Sequence, residues 1–193
     1  MRKLFLFIAA LTLSVGMWAE TVSYLDPVYN NPTDVTKGIK EWKNATADAT
    51  PITSSSFTWG VAGVETWLVV NENVTISQRV TCKGDVHLIL ANNVTLQATK
   101  GITVSGQGNS LTIYAQSTGA QMGKLAAKGA GGAAGIGGDD ICSCSNITIN
   151  GGNIAVTGGD QAAGIGGGYK GSGSNITING GTITAVGGSG AAG

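Results

Sequence analysis

Few residues in this 193-residue chain could do chemistry, and they are unevenly placed. No glutamate follows Glu72, and the glycine-rich C-terminal stretch carries only Asp139, Asp140 and Asp160. Polysaccharide lyases and hydrolases need two or three carboxylates, or a Lys or Arg base, converging on one face. Adjacent strand residues face opposite ways, so Asp139 and Asp140 could converge only from a loop. No catalytic set is expected, and the chain reads as a non-enzyme; polysaccharide cleavage is the lesser alternative. The one histidine, His87, sits in the apolar run Val86-His87-Leu88-Ile89-Leu90, where an outward or corner packing position is expected. Gly137-Gly138-Asp139-Asp140 resembles a fragment of the nine-residue calcium-binding β-roll unit, but no nine-residue period accompanies it. Cys82, Cys142 and Cys144 are too few and too closely spaced for a disulfide framework, and no second Cys or His group completes a zinc site. Neither metal nor cofactor is expected. Gly164 to Gly168 is glycine-rich, but no Lys-Ser/Thr follows it, so a phosphate cradle is not indicated. Asp139, Asp140 and Tyr169 remain as candidate ligand-binding residues, since an aromatic ring and polar groups in a variable loop are what a sugar would use.

The elements that must carry these residues come from a repeat. Residues 133–161 and 162–190 align without a gap at a period of 29, with 18 of 29 positions identical. Inside each unit the apolar period is two: Asn146-Ile147-Thr148-Ile149 is matched by Asn175-Ile176-Thr177-Ile178. Alternation over four or five residues, β-branched side chains and Gly-Gly punctuation specify short strands joined by tight turns. Three such strands per unit predict an all-β right-handed parallel β-helix, a solenoid with isoleucines inward and threonines outward. One unit alone buries too little to order itself, so neighbouring turns must supply backbone ladders. Asn146 and Asn175, one period apart, are expected to stack as an amide ladder. Thr182-Ile183-Thr184 would head an ice-binding rank, but Asn153-Ile154-Ala155 one turn earlier breaks it.

Upstream, Asn73-Val74-Thr75-Ile76, Asn93-Val94-Thr95-Leu96 and Ser110-Leu111-Thr112-Ile113 repeat the strand pattern at irregular spacing. The domain reading is residues 1–19 as a signal peptide, 20–63 as an N-terminal cap, 64–132 as irregular turns and 133–193 as regular repeats cut off in the third unit. Within the cap, residues 35–47 are expected to supply a short helix, with Trp42 covering the first turn. Trp59 and Trp67 are expected to pack beneath the cap. Arg2 and Lys3 followed by the apolar run Leu4 to Val15 form an export leader too short to span a bilayer, with cleavage expected after Ala19. No membrane span is expected after its removal, and the chain is expected to be secreted or held at the cell surface.

Glycine contributes 32 residues and proline only 3, which excludes collagen. Charged residues make up 11%, and eleven basic residues balance eleven acidic ones. Such a surface lacks the clustered lysine and arginine that nucleic acid requires. It suits a neutral ligand such as a glycan, or packing against copies of itself; the expected partners are a glycan or a host surface, and an open last turn would offer an edge contact.

The run from Trp59 to Gln116, with residues 84–90, 92–104 and 108–116 as its core, resembles the secreted glycine-rich repeat proteins of gut anaerobic bacteria, as does the Gly-Ile-Gly-Gly and Asn-Ile-Thr-Ile-Asn-Gly-Gly pattern of residues 132–186. The resemblance implies parallel β-helix turns on a carbohydrate-binding or adhesin-like surface protein, with no catalytic residues to carry over. Members of that group continue through further repeats. The chain therefore reads as the first part of a longer rod, with a stalk of a larger carbohydrate-active enzyme as the alternative.

Overall fold

The computed structural model describes residues 18–31, 33, 38–191 and 193. The chain is all-β. It opens with an antiparallel pair, β1 (Glu20–Tyr29) and β2 (Ile39–Pro51). It then passes five times through the same three sheets. The first circuit is β3 (Thr58–Trp59), β4 (Glu65–Val70) and β5 (Val74–Ile76). The second is β6 (Val80–Cys82), β7 (Asp85–Leu90) and β8 (Thr95–Ala98). The third is β9 (Ile102–Thr103), β10 (Ser110–Ala115) and β11 (Lys124–Lys128). The fourth is β12 (Ile136–Gly137), β13 (Ile147–Ile149) and β14 (Asn153–Thr157). The fifth is β15 (Ile165–Gly166), β16 (Ile176–Ile178) and β17 (Thr182–Val186).

Each strand of a circuit pairs in parallel with its counterpart in the next. Parallel strands cannot be joined by a two-residue hairpin; here the rest of the circuit is the connection. One sheet orders β1-β2-β4-β7-β10-β13-β16, the second β5-β8-β11-β14-β17, and the third β3-β6-β9-β12-β15.

The period-two pattern places its apolar residues as expected. Ile147, Ile149 and Ile154 are fully buried in one continuous core with Leu111, Ile113, Leu125 and Ile136. The repeat register is also as read: Ile147 pairs with Ile176, and Asn153 and Ala155 lie beside Thr182 and Thr184, so the threonine rank is broken. The amide ladder forms, with Asn175 Nδ2 donating to Asn146 Oδ1 at 3.2 Å. Asn146 and Asn175 both adopt left-handed backbone at φ 60 and 50, a region asparagine tolerates better than most residues.

The expected helix over residues 35–47 does not form. Residues 39–51 are strand β2, residue 38 is irregular, and residues 35–37 lie outside the described residues. Strand pairing overrides local helix propensity here, because every β2 residue from Glu41 to Ala49 faces a β1 partner. Trp42 does not cover the first circuit either. Its ring lies against Gly180 in the last one, where an added Cβ would come within 2.9 Å of the indole.

The β1–β2 pair therefore lies along the outside of the first sheet. Val22 and Ala49 bury against Val69, Ile89 and Tyr114, which point away from the main core. At its far end, Asn179 Nδ2 donates to Tyr29 Oη at 2.8 Å. This second, outer core explains why β4 and β7 read as nearly unbroken apolar runs: both faces of these strands are covered. In the fourth circuit the equivalent outer position is Thr148, half-buried.

Candidate functional site

Two groupings of chemically capable side chains stand outside the main core. The first is the corner carrying the residues singled out from sequence. The loop after β12 holds Asp139 and Asp140, and the loop after β15 holds Tyr169 one circuit later. The loops stack through backbone bonds, with Tyr169 N donating to Gly132 O at 2.7 Å and Gly168 N to Cys142 O at 3.0 Å. Asp140 and Tyr169 converge over Gly132, where any side chain would strike Asp140 Oδ1 and Tyr169 Cβ. Asp139 turns the other way, toward Arg79, with Oδ1 3.5 Å from Nε. The structure thus unites Asp140 with Tyr169 and assigns Asp139 a structural partner. Lys170 Nζ lies 4.8 Å from the centre of the Tyr169 ring.

The two loops share a backbone but not a sequence. Ile141 at φ 56 and Lys170 at φ 54 occupy equivalent left-handed positions. A β-branched residue in this region is a genuine outlier, and Ile141 is 69% exposed there. Cys142 is half-buried and Cys144 buried; both are free thiols, as is the buried Cys82. Burial raises the Cys82 and Cys144 thiols above the ordinary cysteine range.

Arg79 was not singled out from sequence. Its Nε donates to Thr103 Oγ1 at 2.7 Å. Nη1 donates to the Lys100 and Ala134 carbonyls at 2.7 and 3.0 Å, and Nη2 to the Gly138 carbonyl at 3.0 Å. The guanidinium thereby pins the second, third and fourth circuits together beneath the candidate corner. Gly101, at φ 81, is required where it passes: a Cβ would stand 2.6 Å from Nη1. Burial lowers the Arg79 pKa, and Asp139 opposes that shift. A cue was present, because Arg79 is the only arginine after Arg2. A planar five-donor fork is what several converging carbonyls demand, and lysine cannot supply it.

The second grouping lies between the β1–β2 pair and the first sheet. His87 stacks on Trp67 with centroids 4.2 Å apart, and Nδ1 lies 3.2 Å from Tyr114 Oη. Tyr24 contacts Trp67 and Tyr114 at 5.0 and 4.7 Å. Nε2 of His87 is buried without a hydrogen bond, 3.4 Å from Asp85 Oδ2 and 3.6 Å from Glu65 Oε1. Glu65 also accepts from Trp67 Nε1 at 2.8 Å, and Asp85 accepts from Ser110 Oγ. Burial holds the Asp26 carboxyl above its usual range, with His87 acting in the opposite sense. Burial also raises the Tyr114 phenol, helped by Asp26. His87 thus faces outward, as its strand position implied, and is enclosed by the strand pair. Trp67 is engaged by three other rings, and Glu65 and Asp85 each already accept a hydrogen bond, from Trp67 and Ser110. The arrangement fastens the strand pair to the sheet. Trp59, by contrast, is buried in the main core.

Among the described residues no group of three or more His, Cys, Asp or Glu is placed to hold a metal ion, and no helix is long and apolar enough to cross a membrane. Of the leader, only Trp18 and Ala19 are described; the rest of residues 1–19 lies outside the described residues. No protein-family model, curated protein or solved structure matches the chain.

Proposed function

We propose that this chain is an exported, non-enzymatic rod, a right-handed parallel β-helix that displays variable corner loops for glycan binding or adhesion. The observation that carries the reading is the stacked corner pair after β12 and β15. Its backbone is shared by the fourth and fifth circuits, while its side chains change from Asp139, Asp140 and Ile141 to Gly168, Tyr169 and Lys170. A scaffold that fixes a turn and frees its sequence presents different chemistry at each level without disturbing the core. The strained, exposed Ile141 and the half-buried Tyr169 mark this corner as more than a connection.

The non-enzymatic part rests on how the acids are used. Asp139 faces Arg79, and Glu65 and Asp85 flank a stacked histidine. The resemblance to secreted repeat proteins and the leader-like N-terminus support export. Residues 20–193 should bind components of a glycan array or mucin, with Tyr169→Ala weakening that binding while leaving the fold intact by circular dichroism. Silence on arrays, mucin and host cells would overturn the adhesive reading.

A further inference from the structure

The second sheet carries a feature that the corner loops do not use. Its outer face holds a cavity of about 370 Å³ lined by residues of β8, β11, β14 and β17, a volume within the range of small-molecule sites. Two ranks form it. One runs Gln97, Ala126, Ala155, Thr184 and the other Lys128, Thr157, Val186, each member beside the next across a parallel pair. The two central side chains of the first rank are methyl groups, so the surface dips between Gln97 and Thr184. Four strands at about 4.8 Å spacing give the dip a length of about 14 Å along the stacking direction.

The regularity of this face is not shared by the others. Along the second sheet Thr95 pairs with Lys124, Lys124 with Asn153 and Asn153 with Thr182, each 29 residues on. In the first sheet the step changes at every circuit, as with Glu65 to Asp85 and Leu111 to Ile147. From β8 onward, insertions elsewhere in the circuits leave this one register intact, although β5 to β8 steps by 22 residues.

Of the polar groups here, Thr99 Oγ1 donates to the Ile76 carbonyl at 3.2 Å; the others are unspent. Among the described residues, the side chains of Gln97, Lys128, Thr157 and Thr184 make no hydrogen bond or ion pair. No carboxylate lines the cavity, and Lys124 adds a second exposed ammonium on β11. A sugar chain matches this inventory: hydroxyls meet the amide and threonines, C–H faces lie on Ala126, Ala155 and Val186, and an acidic group meets Lys128. We infer that this groove binds a linear glycan with carboxylate-bearing units, laid along the stacking direction. The inference rests on the glycan-binding reading above and gives it a second site and a substrate class.

The test uses the full chain with oligogalacturonate and its methyl ester, which differ in charge but not in backbone. Ala126→Phe and Ala155→Phe fill the dip from outward positions, so the fold should survive, as circular dichroism would verify. Each should lower affinity for the acid more than about tenfold by removing the contact surface. Lys128→Gln should cost up to about fivefold for the acid and nothing for the ester, the range of an exposed ion pair. If the rod binds glycans but both phenylalanine variants bind as tightly as the parent, the groove is not the site, and the glycan reading survives. Equal binding of acid and ester, untouched by Lys128→Gln, would overturn the acidic specificity. Failure of either oligosaccharide and of every arrayed glycan to bind would overturn the groove and the glycan reading together.

Discussion

Arg79 shows how one side chain can set the geometry of a repeat array. Four hydrogen bonds join it to four residues of the third and fourth circuits. Replacing it with methionine keeps the bulk and removes every donor; the Gly138 carbonyl keeps its bond from Ala134 N and Lys100 is exposed, so the buried Ala134 carbonyl bears the main loss, at about 1–3 kcal/mol. Arg79→Met should therefore lower unfolding free energy by about 1–3 kcal/mol in denaturant titration, and Arg79→Lys should recover only part of it. A loss under about 0.5 kcal/mol for the methionine variant would show that water satisfies the Ala134 carbonyl. The same residue explains why Asp139 reads ambiguously from sequence. A lone loop acid looks like a turn former or a ligand, and only the passage of Arg79 from two circuits earlier shows what it faces.

At the scale of elements, the β1–β2 pair departs most from expectation. Its residues favour no single structure locally, since Lys40-Glu41-Trp42-Lys43 would serve a helix as readily as a strand. Its pairing is decided by an outer surface that β4, β7 and β10 build only after they have stacked. The evidence for that surface was nonetheless present in sequence. Trp67-Leu68-Val69-Val70 and Val86-His87-Leu88-Ile89-Leu90 lack the polar alternate of Ile147-Thr148-Ile149, which means that both faces need cover. The far end of the pair depends on Gly180, where the Trp42 ring lies. Gly180→Leu should displace the indole and expose it, seen as a red shift of tryptophan emission, with faster amide exchange along β1 and β2. Unchanged exchange would mean that Trp42 contributes nothing to holding the pair.

For the whole molecule, stability should grow from one circuit to the next, because each circuit buries its apolar residues against its neighbours. The repeat allows a clean comparison. Ile149 and Ile178 are equivalent and paired, yet Ile149 is fully buried and Ile178 is 52% exposed. Ile149→Ala should cost about 2–5 kcal/mol, the range for truncating a buried aliphatic side chain. Ile178→Ala should cost about 1 kcal/mol or less, both by chemical denaturation. Equal losses would mean that the last circuit is as enclosed as the fourth.

The 29-residue period, the strand alternation, the inward isoleucines and the Asn146–Asn175 ladder were readable from sequence alone. Each is a local regularity, and a parallel register stacks like on like, so sequence periodicity becomes spatial neighbourhood directly. The tertiary structure decided what periodicity does not encode: the Arg79 pin, the enclosure of His87 by Tyr24, Trp67 and Tyr114, and the placing of Trp42 on Gly180. These contacts join residues from different circuits, or from the strand pair and the array, and no spacing rule relates their positions. The corner of Asp140 and Tyr169 lies between the two cases. Its residues stood out in the sequence, but their convergence over Gly132 follows from the stacking of two loops one circuit apart.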